Sequence, residues 1–115
     1  MPRTVLVVED DADFRESVSS VLREQGYEVV EACDGLDALD VLETTRPGLI
    51  LLDLMMPRFD GYGFRELQQG DPAISNIPVV AITAHRDGID ALEPMEVLLK
   101  PIALAPLLEA VLRYF

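Results

Sequence analysis

Four places in this 115-residue chain set a chemically capable polar residue directly after an apolar run. Val5-Leu6-Val7-Val8 ends in Glu9-Asp10-Asp11, Leu49-Ile50-Leu51-Leu52 in Asp53, Val79-Val80-Ala81-Ile82 in Thr83, and Val97-Leu98-Leu99 in Lys100. If these runs are parallel strands, their carboxyl ends point the same way and the polar residues converge on one cleft. Several carboxylates meeting there repel each other, and a bound cation relieves that repulsion. An all-oxygen donor set without His or Cys favours Mg²⁺, Mn²⁺ or Ca²⁺ over zinc. A hydroxyl from Thr83 and an ammonium from Lys100 beside such an ion are suited to hold a phosphoryl group during in-line attack. Asp53, alone at the tip of the central run, is the candidate nucleophile and would form an aspartyl phosphate. Taken singly, Asp53 reads more simply as a turn residue that ends a strand. The acids at the neighbouring strand end shift the balance toward chemistry.

Composition narrows the classes. The chain is long enough for one domain with a real core and too short for two, and 50% of it is hydrophobic, which argues against disorder. A net charge of −12 argues against a nucleic-acid binder and favours a cation or a basic protein surface. Cys33, the single cysteine, has no internal disulfide partner and no metal-ligand companions, which suits a reduced cytoplasm. The first apolar run is too short for a signal peptide or a membrane span. Residues 1–115 therefore read as one soluble domain with no membrane association.

The intervening segments read as helices. Asp13 with Glu16 makes an acidic capping box, and Phe14, Val18, Val21 and Leu22 follow at helical spacing up to Gly26. Tyr27 to Ala32 is more polar, as an edge strand tends to be. Leu36, Leu39 and Leu42 mark a second helix from the Asp34-Gly35 turn to about Thr45, and Phe64 with Leu67 a short third one ending near Gly70. Asp87 to Pro94 leaves room for no more than a stub of helix. Leu104, Leu107, Leu108, Val111 and Leu112 predict a last amphipathic helix with Pro106 as its first residue. Strands alternating with helices throughout imply right-handed crossovers and an α/β doubly wound parallel sheet of five strands, sandwiched between helices.

With these residues in place the chain resembles the receiver domains of two-component response regulators, the CheY-like family. The matching motifs are Val7-Val8-Glu9-Asp10-Asp11, Leu52-Asp53-Leu54-Met55-Met56-Pro57 with Asp60-Gly61, Ile82-Thr83-Ala84, and Leu99-Lys100-Pro101. They come in the family's order and span almost the whole chain; each is weak alone, and the set is specific. The resemblance implies a flavodoxin-like sheet in the order 2-1-3-4-5. It implies that Glu9, Asp10, Asp53 and the backbone carbonyl of Met55 hold Mg²⁺, with Mn²⁺ as a substitute, while Asp11 serves the helix start or an outer shell. It implies that Asp53 takes phosphate from a sensor histidine kinase or a histidine phosphotransfer protein, that Thr83 bonds the phosphoryl group, that Lys100 pairs with it, and that a downstream protein reads the change. It also suggests a cis peptide at Lys100-Pro101.

Two departures stand out. Val97 occupies the position, three before the lysine, where the family usually carries Tyr or Phe, and the stretch from Thr83 to Lys100 is shorter than usual. Both bear on signal output, and they predict a shortened or irregular helix there. Other readings of the same sheet fare worse. A degenerate receiver that docks without phosphate does not need an intact acidic cluster. An aspartyl-phosphate hydrolase would carry an acid where Met55 stands, and a flavin binder would not place three acids where phosphate must bind.

Overall fold

The computed structural model describes residues 3–56, 60–84 and 96–115. Among these, β1 (Thr4–Val8), α1 (Ala12–Glu24), β2 (Glu28–Ala32), α2 (Gly35–Thr44), β3 (Leu49–Asp53), α3 (Gly61–Gln69), β4 (Val79–Thr83), β5 (Glu96–Leu99) and α4 (Leu104–Leu112) follow in order. The strands form one parallel sheet in the order β2-β1-β3-β4-β5, which is the expected topology, with β2 at an edge. The apolar runs are continuous because both faces of the central strands are covered, and every residue of β3 and β4 is buried.

Two cores lie on opposite faces. Leu6, Val8, Ile50, Leu52 and Ala81 pack with Ala38 and Leu42 of α2 and Phe64 of α3. The alternate residues Val5, Val7, Leu49, Leu51, Val80 and Ile82 pack with Val18 and Leu22 of α1 and Leu107 and Val111 of α4. The two-residue period of a strand thus sends neighbouring side chains to different helix pairs. Val97 pairs with Ala81 and is partly buried against the α2/α3 core.

Helix boundaries differ from the sequence reading in identifiable ways. The N-cap of α1 is Asp11 and not Asp13: its side chain accepts from the backbone N–H of Asp13 and Phe14. Asp11 has the extended backbone of a chain leaving a strand, which a cap requires and a residue inside the first turn lacks. The last helix begins at Leu104, two residues before Pro106. Proline fits there because backbone N–H groups in the first turn have no carbonyl to bond. Leu36 and Leu67, expected on buried helix faces, are 45% and 51% exposed, as are Leu104 and Leu112 of the last stripe at 54% and 60%. Ala38 and Leu42 face the sheet from α2, and Phe64 and Gln68 are buried on α3. Gly26, just past α1, adopts φ +91°, where a side chain is strained.

The Lys100-Pro101 peptide is cis, as the resemblance suggests. The expected short or irregular helix between β4 and β5 falls in residues 85–95, outside the described residues.

Candidate functional site

The strand ends converge as their sequence positions predict. β1 delivers Glu9, 2% exposed, whose N–H continues the ladder by donating to Ala32 O at 3.0 Å. Arg15 on α1 braces this turn, its Nη1 donating to Glu9 O at 2.7 Å and its Nε to Glu31 at 3.1 Å. β3 delivers Asp53, 3% exposed, whose Oδ1 accepts from Met55 N–H at 3.0 Å. Leu54 N–H donates to Ile82 O, which fixes the chain just beyond Asp53 against β4. Thr83 ends β4 with its side chain buried, and its carbonyl accepts from Lys100 N–H at 2.8 Å. The backbones of these two residues are therefore tied together.

Carboxylate oxygens of Glu9, Asp10 and Asp53 lie within 4.8 Å of one another. Among the described residues this is the one group of His, Cys, Asp and Glu side chains arranged to hold a metal ion. Lys100 Nζ enters between them, 2.7 Å from Glu9 Oε1 and 3.5 Å from Asp53 Oδ2. One ammonium faces three carboxylates, so the cluster keeps an excess of negative charge. Burial, and then Asp53 beside it, pushes the Glu9 carboxyl above its ordinary range. Asp10, though exposed, is also raised, by its residual burial and then by Glu9. Burial acts to lower Lys100, but Glu9 and Asp53 outweigh it and hold the amine above its usual value, so it stays an ammonium. An all-oxygen cluster with unrelieved negative charge fits a hard divalent cation.

Each candidate thus has a place. Glu9, Asp10, Asp53 and Lys100 meet directly, Thr83 adjoins Lys100, and Met55 follows Asp53 with an exposed side chain and its N–H on the Asp53 carboxylate. Asp11 is not part of the cluster; it caps α1. Two contributors were not singled out in the sequence. Arg15 carries no distinguishing signal in a charged helix face. Phe14 reads as an ordinary apolar helix position, yet its ring lies under Lys100, with Nζ 4.4 Å from the centroid.

Comparison with known proteins agrees with this geometry. A probable transcriptional regulator, ycf27, of Porphyridium aerugineum is 38% identical over 93 residues, covering 80% of this chain and 37% of that protein. The chain spans well under two thirds of the length of such curated relatives. The signal receiver domain of a histidine kinase from Syntrophus aciditrophicus superposes with a TM-score of 0.88 at 33% identity, covering 96% of this chain and 88% of that one. The receiver domain of a sensor histidine kinase from Pseudomonas aeruginosa, whose active-site cleft coordinates a magnesium ion, gives 0.89 at 28% identity over 99% and 98% of the two chains. Residues 5–112 match the response regulator receiver domain, and the chain belongs to that family of two-component signalling.

Proposed function

We propose that residues 1–115 act as one phosphoacceptor receiver domain, with Asp53 as the site of phosphorylation and a phosphohistidine of a sensor kinase or phosphotransfer protein as donor. Glu9, Asp10, Asp53 and the Met55 carbonyl would hold Mg²⁺, and Mn²⁺ meets the same donor preferences. When bound, the ion neutralises phosphoryl oxygens and the crowded carboxylates. An Asp53 carboxylate oxygen attacks phosphorus, the P–N bond to the donor imidazole breaks, and the imidazole leaves and takes up a proton. Lys100 balances the charge that develops on the phosphoryl oxygens, and the Thr83 hydroxyl donates to one of them. Attack of water on the aspartyl phosphate later restores the carboxylate and releases inorganic phosphate. A downstream protein then reads the two states as different surfaces. This reading places the domain in the cytoplasm; among the described residues no helix is long and apolar enough to cross a membrane.

The observation that carries the reading is the meeting of Glu9, Asp10, Asp53 and Lys100, from three strand ends, within ion-pair and metal-ligand distances. Intact mass after incubation with Mg²⁺ and acetyl phosphate tests it. One added phosphoryl group is expected on the wild type and none on Asp53→Asn; modification that persists in the variant overturns the assignment.

A further inference from the structure

Lys100 is held on a third side by a group that no carboxylate chemistry requires. Phe14 sits in the first turn of α1, and its own N–H donates to the Asp11 cap at 3.2 Å. Asp11 in turn donates its N–H to Glu9 Oε2 at 3.3 Å. The start of the helix is thereby tied to the acidic tip of β1, and the ring is carried to the edge of the cleft. Lys100 Nζ lies 4.4 Å from the ring centroid, a distance at which the negative face of an aromatic ring attracts a cation.

Among the described residues, that ammonium also pairs with Glu9 and Asp53, the carboxylates to which the proposed metal binding and phosphorylation lay claim. The ring competes for neither. We propose that Phe14 is a positioning residue that keeps Lys100 at the mouth of the cleft while its carboxylate partners are engaged elsewhere. The functional half of this proposal rests on the phosphoacceptor reading; the geometric half does not.

Phe14 also packs, partly buried, against the core between the sheet and α1 and α4, which accounts for an apolar side chain here but not for a π face. Phe14 is half-buried and borders an open groove of about 150 Å³ between α1 and α4, lined also by Ser17 and by the apolar Val18, Val21, Ile102, Leu104 and Leu107. A leucine fills the same apolar wall but presents no π face. Tyrosine keeps the face.

Two readouts on the whole chain separate positioning from packing. In proton–carbon correlation spectra, the ε-methylene protons of Lys100 are expected upfield of ordinary lysine in wild type and Phe14→Tyr, and at the ordinary position in Phe14→Leu. At saturating Mg²⁺, phosphorylation by acetyl phosphate is expected to slow about threefold to tenfold in Phe14→Leu and to stay within about twofold of wild type in Phe14→Tyr. An ordinary ε-methylene shift in the wild type overturns the proposal, as does an unchanged rate in Phe14→Leu or an equal loss in both variants. A wild type that accepts no phosphoryl group refutes the phosphoacceptor reading instead, and the Lys100 shift still decides whether the ring holds the ammonium.

Discussion

Glu9→Gln exposes the tension between stability and metal binding in the cleft. The Glu9 carboxylate is 2% exposed, 2.7 Å from one ammonium and within 4.8 Å of an oxygen on each of two carboxylates. With an effective dielectric near 20, the attraction at 2.7 Å is about 6 kcal/mol and each repulsion, at no more than 4.8 Å, about 3.5 kcal/mol or more, so the ammonium does not outweigh the two carboxylates. The loss of hydration, on the order of several kcal/mol for a buried ion, is then left without compensation. The amide recovers that term but cannot accept from both Lys100 Nζ and Asp11 N–H as the carboxylate does, which costs about 1 kcal/mol. Glu9→Gln should therefore stabilise the metal-free protein by about 1–2 kcal/mol near neutral pH, raising its midpoint by about 4–8 °C.

The pH dependence follows from the same group. An acid whose folded pKa is raised contributes full stability below its unfolded value and loses it as pH climbs through the folded value. Glu9 lies above the ordinary 4.5, through burial first and Asp53 second. Wild type should therefore fall behind the variant over a window that opens above that value, and the two should converge in acid. Urea denaturation in chelator across this range, followed by circular dichroism, measures the gap. Saturating Mg²⁺ should reverse the order, because a ligand stabilises most the protein that binds it most tightly. Equal or lower stability of the variant in chelator, or a gap that widens toward acid, refutes the reasoning.

Neighbouring acids should separate by role. Asp10→Ala is expected to weaken Mg²⁺ binding at least about tenfold, whereas Asp11→Ala should leave the affinity nearly unchanged and cost about 1 kcal/mol of stability through the lost cap. Calorimetric titration beside denaturation checks both, and the reverse ranking reassigns the ligands. Gln68, fully buried, donates through Nε2 to Ile74 O and Ile77 O, both at 2.9 Å. Gln68→Leu should destabilise by about 2–3 kcal/mol in urea, since buried acceptors lose a donor; a loss below about 0.5 kcal/mol would mean that other donors replace it.

The amino-acid sequence determined the strands and the polar residues placed at their ends, because a parallel sheet covered on both faces demands unbroken apolar runs and Asp53, Thr83 and Lys100 each interrupt one. It also placed β2 at an edge, since Glu28 and Glu31 tolerate only partial burial. The division of labour among Glu9, Asp10 and Asp11 lay beyond composition and spacing, which offer three adjacent acids of similar character. Backbone direction decided it: Glu9 still lies in the ladder and points inward, Asp10 is exposed, and Asp11 has turned far enough to cap α1. Helix faces were settled the same way. Leucines at 36 and 67 obey helical spacing, yet the sheet is met by Ala38 and Leu42 and by Phe64, while Gln68 is buried against the Ile74 and Ile77 carbonyls, because rotation of a helix about its axis is fixed by what it packs against. The ring of Phe14 under Lys100 joins the first helix to the end of the last strand, and a contact between such distant segments exists only once the sheet has brought both to one edge of the cleft.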